Sequence, residues 1–434
     1  MSASQSSTKQ TILIGLMLFS LFFGAGNLIF PPLLGQEAGD QLWPAIIGFL
    51  ISGVGLPVLG VIAIIYTGKD DAEAISKRVH PIFATAFTAL TFLTIGPLFA
   101  VPRTATVSFE VGLTPFLDNV TSLALVIFTI VYFAFVYWLA ASPGKFIDRI
   151  GKIITPILLF VLAVVLARTI FGPLGTFSAP SEEYSSLAFF SGFTEGYLTM
   201  DTIAAFVFGI LVLQTIKSQG INDQTVIRSV TIKASLIAGG LLAVIYTGLG
   251  YLGAVSETAV GTQENGGQIL QLTAFEYFGV SGNVILAITI ILACVPTAVG
   301  LISSCSTYFN GWFPQISYKR FVLIFTVFSA LIANMGLNQL IAFSLPVLVF
   351  IYPIIIALIA LAFTDRLFGG RQSVYRGVII MTALISTTDG LKEAGLLPES
   401  IVSLTSMLPL SDLGFGWLVP AILGGIVGFF VSKK

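Results

Sequence analysis

The sequence predicts an all-α integral membrane protein with about twelve transmembrane helices, and three observations predict it. Of 434 residues, 56% are hydrophobic and only 9% are charged, whereas ordinary soluble domains carry about 25% charged residues. Apolar runs recur along the whole length, each roughly 18–25 residues long and able to cross a hydrocarbon core of about 30 Å. Basic residues gather in every second loop. A single soluble core rarely grows past roughly 250–300 residues, so water is not the main solvent for this chain. Inside a bilayer each segment must satisfy its own backbone, which favours helices. The alternation of a transmembrane barrel strand is absent.

The spans fall near 12–34, 42–67, 82–107, 119–141, 149–171, 189–214, 225–251, 281–309, 319–335, 338–363, 374–391 and 412–432. The expected organisation is one transporter domain over 1–434, with five-helix halves over 12–171 and 189–363 and two additional helices over 374–432.

Charge orients the array. Lys9 precedes the first span, and alternate loops and their flanks hold Lys69, Lys77 and Arg78; Lys145, Arg149 and Lys152; Lys217, Arg228 and Lys233; Lys319 and Arg320; and Arg366, Arg371 and Arg376. Lys433 and Lys434 close the chain, which makes 17 of the 20 basic residues; Arg103, Arg168 and Lys392 stand apart. The other loops carry Glu37, Asp40, Asp118, Glu182, Glu183, Glu257, Glu264 and Glu276. The positive-inside rule then puts both termini in the cytoplasm and requires an even number of spans. This reads as a multi-pass protein of the cell (inner) membrane.

Few residues suggest bond-making chemistry. Cys294 and Cys305 form no metal-type cluster, and the only histidine, His80, sits at a loop edge. An enzyme is not expected, nor a cofactor. No P-loop is present, so no ATPase activity or ATPase subunit is implied. A net charge near −1 gives no sign of a nucleic-acid partner. The first span resembles a signal peptide, with Lys9, an apolar run and small residues at Gly24-Ala25-Gly26, but eleven spans follow it. Three longer polar loops are expected at 172–188, 252–280 and 68–81, the last of them (Lys69-Asp70-Asp71-Ala72-Glu73) an interfacial segment.

Two spans carry helix breakers in their middles. Span 1 reads Phe22-Phe23-Gly24-Ala25-Gly26-Asn27-Leu28-Ile29-Phe30-Pro31-Pro32, and span 6 reads Gly192-Phe193-Thr194-Glu195-Gly196-Tyr197-Leu198-Thr199-Met200-Asp201. They lie five spans apart, and an odd separation makes the two halves enter the membrane from opposite sides. Paired breaks in an inverted repeat point to a binding site at the midplane. Unwinding frees N–H groups at the start of the second half-helix, which suit a carboxylate. It also frees carbonyls at the end of the first half, which suit a hard cation or an ammonium group. Helix packing is the rival reading of Gly24 and Gly26, but packing glycines prefer a spacing of four, and these are two apart. Pro31 also denies the Asn27 carbonyl its partner.

Glu195 and Asp201 sit within apolar sequence, where a charge costs on the order of 2.5–3.5 kcal/mol on insertion scales. Both need partners, and Arg103, after Pro97 and Pro102 in span 3, is one candidate. The rival reading has Arg103 snorkelling from the outer end of its span. Ser303 and Ser304 in span 8 read, taken alone, as hydroxyls bonded back to carbonyls four residues earlier.

The two broken segments resemble those of the bacterial branched-chain amino acid:cation symporters, the BrnQ-type carriers. So does Gly96-Pro97-Leu98-Phe99-Ala100-Val101-Pro102-Arg103-Thr104-Ala105-Thr106-Val107-Ser108-Phe109-Glu110. The resemblance covers nearly the whole chain. It implies a LeuT-type five-plus-five inverted-repeat fold with discontinuous helices 1 and 6. It also implies uptake of leucine, isoleucine and valine by alternating access, coupled to Na+ or H+. By similarity, the amides of Gly24, Ala25 and Gly26 hold the substrate carboxylate, and Glu195, Gly196, Tyr197, Leu198 and Thr199 form the other face of the substrate site. Backbone oxygens of Ser20, Phe23 and Val299, with the hydroxyls of Ser303 and Ser304, hold the coupling ion. Asn27 matches a residue that serves a second cation in some relatives, while Arg103 and Asp201 are read as gating or buried charges. Ile302 stands where some relatives carry a threonine, which leaves one fewer oxygen. The alternatives are a carrier of the same fold for another small amino acid or a nucleobase, and a channel. The implied partners are the amino acid, the cation and the lipid bilayer.

Overall fold

The computed structural model describes residues 8–67, 73–142 and 155–431. Lys69, Asp70, Asp71 and Ala72 of the expected interfacial segment lie outside the described residues, as do Lys145, Arg149, Lys152, Lys433 and Lys434. Each of the twelve expected spans contains helix, and the described residues form no strand. Seven helical stretches among them are long and apolar enough to cross a membrane unaided. Thr8–Phe22 is 15 residues, about 22 Å of helix, and it crosses only together with the helix that follows.

Span 1 is α1 (Thr8–Phe22) and α2 (Ala25–Ala38), interrupted at Phe23 and Gly24. Span 2 is α3 (Leu42–Leu50) and α4 (Leu56–Thr67), joined through a wide turn over Ile51–Gly55. Span 3 is α5 (Pro81–Leu93) and α6 (Ala100–Gly112). Between them Gly96 leaves helical geometry (φ −86°, ψ −117°) just before Pro97. This third interruption was not expected from the sequence. Pro97 removes a backbone donor, and a Cβ at Gly96 would lie 2.5 Å from the Cys305 sulfur of span 8. Spans 4 and 5 are α7 (Ser122–Ala140) and α8 (Thr155–Phe171).

Span 6 is α9 (Glu182–Glu195) and α10 (Asp201–Ser218), so it starts seven residues earlier than the apolar run suggests. Spans 7 to 10 are α11 (Gln224–Ala254), α13 (Val280–Trp312), α14 (Tyr318–Ala333) and α15 (Leu337–Thr364). The stretch 252–280, expected as a polar loop, instead contains α12 (Gly266–Phe278), capped by Asn265 and burying Ile269 and Leu270. Its few apolar positions gave no run long enough to register. Span 11 is α16 (Gln372–Glu393). Span 12 is shorter than expected, because a brief helix α17 (Glu399–Thr405) and turns occupy the approach to α18 (Leu418–Val431).

Packing follows an exchange pattern. Both halves of span 1 lie along span 7, and both halves of span 6 lie along span 2. Span 3 packs on span 8 and span 4 on span 9, while span 4 touches span 8 as span 3 touches span 9. Swapping spans 1–5 for spans 6–10 returns the same set of pairs. Spans 11 and 12 pack on each other, and span 11 packs on span 10.

Lipid tails are as apolar as leucine, so helices in a bilayer gain most where small residues let backbones approach. Two such contacts hold the broken spans. A Cβ at Gly35 would lie 1.9 Å from the Gly250 carbonyl, and one at Gly253 would lie 1.9 Å from that of Pro32. Across the other pair, a Cβ at Gly48 would lie 1.9 Å from the Phe189 carbonyl, and one at Gly192 2.0 Å from that of Ala45. Overpacking of this kind costs about 1–3 kcal/mol. Gly240, in the same helix as Gly253, has nothing within 4 Å of an added Cβ. Thermal unfolding of the purified protein should therefore show Gly253→Ala lowering Tm, and Gly240→Ala leaving it unchanged or raising it by the equivalent of up to about 1 kcal/mol. Equal effects of the two substitutions would contradict the close approach of spans 1 and 7.

Candidate functional site

The break in span 1 is short and tightly organised. The Phe23 N–H still donates to the Phe19 carbonyl at 2.7 Å, closing the first half-helix. Gly24 then runs extended (φ −119°, ψ −157°), and α2 restarts at Ala25. Gly24 is required by crowding rather than by its dihedral angles, since an added Cβ would sit 3.0 Å from the Thr297 side chain of span 8. The opening N–H groups of α2 have no acceptor within the helix. Asn27, in the third position, caps it: its Oδ1 accepts the Gly24 N–H at 2.9 Å.

The same side chain reaches across to span 6. Asn27 Nδ2 donates to Asp201 Oδ2 at 2.6 Å and also to the Tyr246 hydroxyl of span 7. The Tyr246 hydroxyl in turn donates to Asp201 Oδ2 at 2.9 Å. All three residues are buried. Asp201 is the first residue of the second half of span 6, where the helix dipole favours a carboxylate. Just before it, Met200 adopts a left-handed conformation (φ 64°), uncommon for a residue with a side chain. The chain reaches that turn through a tight coil over Gly196–Thr199, in which the Thr199 hydroxyl donates to the Gly196 carbonyl at 2.8 Å. One buried polar joint thus ties the two breaks together.

Arg103 enters from span 3, just past that span's own break. It does not snorkel: it is 2% exposed. Nη1 donates to the Leu198 carbonyl freed by the span 6 break, Nη2 donates to Ser344 Oγ of span 10 at 3.1 Å, and the guanidinium lies 5.1 Å from the centre of the Phe30 ring. It forms no ion pair with Glu195 or Asp201 among the described residues. Its Nε has no protein acceptor among them. Gly26 allows this approach, because a Cβ there would come within 3.3 Å of Nη1.

On the opposite wall, the Thr297 hydroxyl faces the end of the first half of span 1. It is within hydrogen-bonding range of the Leu21 carbonyl at 3.2 Å and of the Ala293 carbonyl at 3.3 Å, with that of Ser20 at 3.5 Å. Thr297 was passed over in the sequence, where a single threonine after Pro296 carries no distinguishing signal. Ser304 donates to the Gly300 carbonyl at 2.8 Å, the back-bonding read from the sequence, and the Ser303 hydroxyl has no partner among the described residues. Val299 is fully buried, as are Ser20 and Phe23.

These groups enclose one cavity of about 30 Å³, lined by Gly24, Ala25, Gly26 and Asn27 from span 1 and by Thr199, Met200 and Asp201 from span 6. Arg103, Thr104 and Thr297 complete its polar wall; Leu21, Phe22, Ile95, Phe208 and Leu301 are among its apolar lining. That volume suits a water-sized guest, so a larger one requires the walls to move apart. Glu195, Gly196, Tyr197 and Leu198 do not line it. Gly196 instead packs on span 2, where an added Cβ would meet Ser52 Oγ at 2.0 Å, and Tyr197 stacks on Tyr352 of span 10 with ring centres 4.2 Å apart. Leu198 serves through its carbonyl, as the acceptor for Arg103.

Residues 7–434 match the sequence profile of the family described as branched-chain amino acid transport protein. The chain is 48% identical to the branched-chain amino acid permease BrnQ of Bacillus subtilis (strain 168), over 98% of this chain and 97% of the relative. Among solved structures it resembles a nucleobase-cation-symport-1 family transporter in a closed conformation with bromovinylhydantoin bound. That likeness has a TM-score of 0.65 at 13% identity and covers 97% of this chain and 92% of the other. It also resembles a Na+-coupled sialic acid symporter in its substrate-bound outward-open state, with a TM-score of 0.60 at 15% identity, covering 98% and 90%.

The joint makes a direct prediction. Asn27→Asp removes the donor and sets a second carboxylate against Asp201, a buried mismatch costing about 1–3 kcal/mol or more. The exchange Asn27→Asp with Asp201→Asn restores one amide facing one carboxylate. Thermal unfolding should show the double variant more stable than Asn27→Asp alone. Additive losses would mean that the two side chains do not act as a pair.

Proposed function

Because this chain belongs to the branched-chain amino acid transport protein family, and is a membrane transporter rather than an enzyme, we propose that it is a secondary active symporter importing leucine, isoleucine and valine together with Na+ or H+. One observation carries this reading. A single cavity at the crossing of two helix breaks is lined by one buried guanidinium, one buried carboxylate and a largely apolar remainder. That combination is complementary to a zwitterion with an aliphatic side chain.

In this reading the substrate carboxylate is held by the free N–H groups at the start of α2, at Ala25 and Gly26, with Arg103 adding a charge-assisted bond. The Gly24 amide, already engaged by Asn27, serves by shaping the turn. The ammonium group faces Asp201. The branched side chain lies among Ile95, Phe208 and Leu301, where each methylene separates substrates by only about 1–3 kcal/mol, so use of the three amino acids overlaps. The cation takes the carbonyls at the end of the first half of span 1, Ser20 and Phe23, with a hydroxyl from span 8. Thr297 is the favoured donor of that hydroxyl on geometry, while Ser303, Ser304 and the Val299 carbonyl are the set implied by family resemblance. Cation coupling in the two solved transporters of this fold, named for it, supports the assignment.

The proposed mechanism is alternating access between repeats over 12–171 and 189–363, with 374–432 outside the repeat; the exchanged packing of the two halves supports it. The small cavity fits a closed arrangement. The charge pattern supports a cytoplasmic-membrane location with both termini inside.

Uptake of radiolabelled leucine into proteoliposomes, with Na+ and H+ gradients imposed separately, tests this directly. Isoleucine and valine should compete, and one of the two gradients should drive accumulation. Failure of all three amino acids to compete, or equal uptake without any gradient, would remove the proposal. Arg103→Ala should raise KM for leucine at least tenfold, the scale of a lost charge-assisted bond of about 1.5–3 kcal/mol. Thr297→Val should weaken the cation dependence of uptake more than Ser304→Ala does; the reverse order would move the ion site down span 8.

A further inference from the structure

A second cavity, of about 490 Å³, lies far from the helix breaks, where the ends of spans 2 and 10 meet the starts of spans 7 and 11. Its lining includes three arginines, Arg78, Arg228 and Arg366, against one carboxylate, Asp365. Asp365 is already committed: it pairs with Arg78 and accepts the Tyr375 hydroxyl at 2.9 Å. Arg228 lies over the Tyr66 ring at 5.2 Å. Neither Arg228 nor Arg366 forms an ion pair among the described residues. The described walls therefore hold an excess of two positive charges around a space large enough for a small polar group.

Nothing in transport of a zwitterion through the central site uses this cavity. Like charges gathered from three different elements repel one another, and an anion bound between them removes that cost. Guanidinium groups favour phosphate, because their planar forks donate two parallel hydrogen bonds to it. The rim says where such a phosphate would come from. Tyr66 and Phe363, at the ends of spans 2 and 10, meet edge to face with centres 6.0 Å apart, and both remain exposed. Aromatic side chains at span ends sit at headgroup level in a bilayer. Basic pockets between transmembrane helices at that level hold anionic lipid headgroups.

We propose that Arg78, Arg228 and Arg366 form a binding site for the phosphate of an anionic phospholipid headgroup, clamping the ends of spans 2, 7 and 10. In the orientation proposed above this site faces the cytoplasmic leaflet, and the test does not depend on that orientation.

The purified full-length protein in detergent is mixed with phosphatidylglycerol or with phosphatidylcholine of the same acyl chains. Retained lipid is counted by native mass spectrometry, and Tm is measured in parallel. The wild type should retain phosphatidylglycerol preferentially and gain Tm from it. Each arginine contributes about fivefold to that preference, so Arg228→Gln with Arg366→Gln should reduce it by roughly thirtyfold. Lys319→Gln, on another basic loop, should leave it unchanged. Should the double glutamine variant not fold, Arg228→Lys with Arg366→Lys keeps the charge without the forks and should still lose preference severalfold. Four results would overturn the proposal: no headgroup preference in the wild type, full preference in the folded double variant, an equal loss from Lys319→Gln, or protection by inorganic phosphate equal to that by the lipid.

Discussion

A buried carboxylate with no cationic side chain paired to it among the described residues has to be held by hydrogen bonds, and in this protein that requirement organises the centre of the membrane. Asp201 takes one bond from Asn27 and one from Tyr246, and Asn27 spends its oxygen on the Gly24 amide. Three spans are joined at one point. Each break would otherwise leave polar backbone in a low-dielectric interior, at a cost of several kcal/mol per unsatisfied group. Here side chains meet part of that cost: Asn27 takes the Gly24 amide, and Arg103 donates to the Leu198 carbonyl.

Rigidity elsewhere gives that joint its setting. The broken spans are not free half-helices, since glycines bring α2 into backbone contact with span 7 and α9 with span 2, and the other halves pack along the same partners. In the mechanism proposed above, movement would fall on the joint and on the third break at Gly96, which faces Cys305 of span 8. A guest that competes for Asp201 or Arg103 disturbs contacts that bridge spans 1, 3, 6, 7 and 10 together. In the alternating-access mechanism proposed above, such a centre would couple binding to a change in helix arrangement without any distant relay, because the residues that meet the guest also join the spans.

Much of the architecture was legible from residue order alone. Apolar runs of membrane-crossing length located the spans, and Gly24, Gly26 and Gly196 with their neighbours located the two principal breaks. The third break was not read, although Gly96-Pro97 was in view, because a membrane helix tolerates proline where its neighbours re-satisfy the freed backbone groups. Helix α12 was missed because its apolar face is short and surrounded by polar residues. Asn27 and Asp201 were singled out separately, one as an ion ligand and the other as a buried charge; their pairing across 174 positions has no local signature. Tyr246 and Thr297 were missed for the same reason.

What the sequence determined by itself is whatever depends on one segment's relation to its solvent. It set the membrane class, the positions of most spans, the alternation of basic and acidic loops, and two of the three places where a helix breaks. These are local transfer and backbone effects, summed over a run of neighbours. Tertiary structure alone decided which polar groups answer one another: that Arg103 turns inward to the Leu198 carbonyl, that Thr297 faces the end of α1, and that Gly196 serves packing. Those outcomes depend on the direction of single side chains across helices far apart in the chain. Hydrogen bonds are directional over about 3 Å, a precision that no periodicity along one helix encodes.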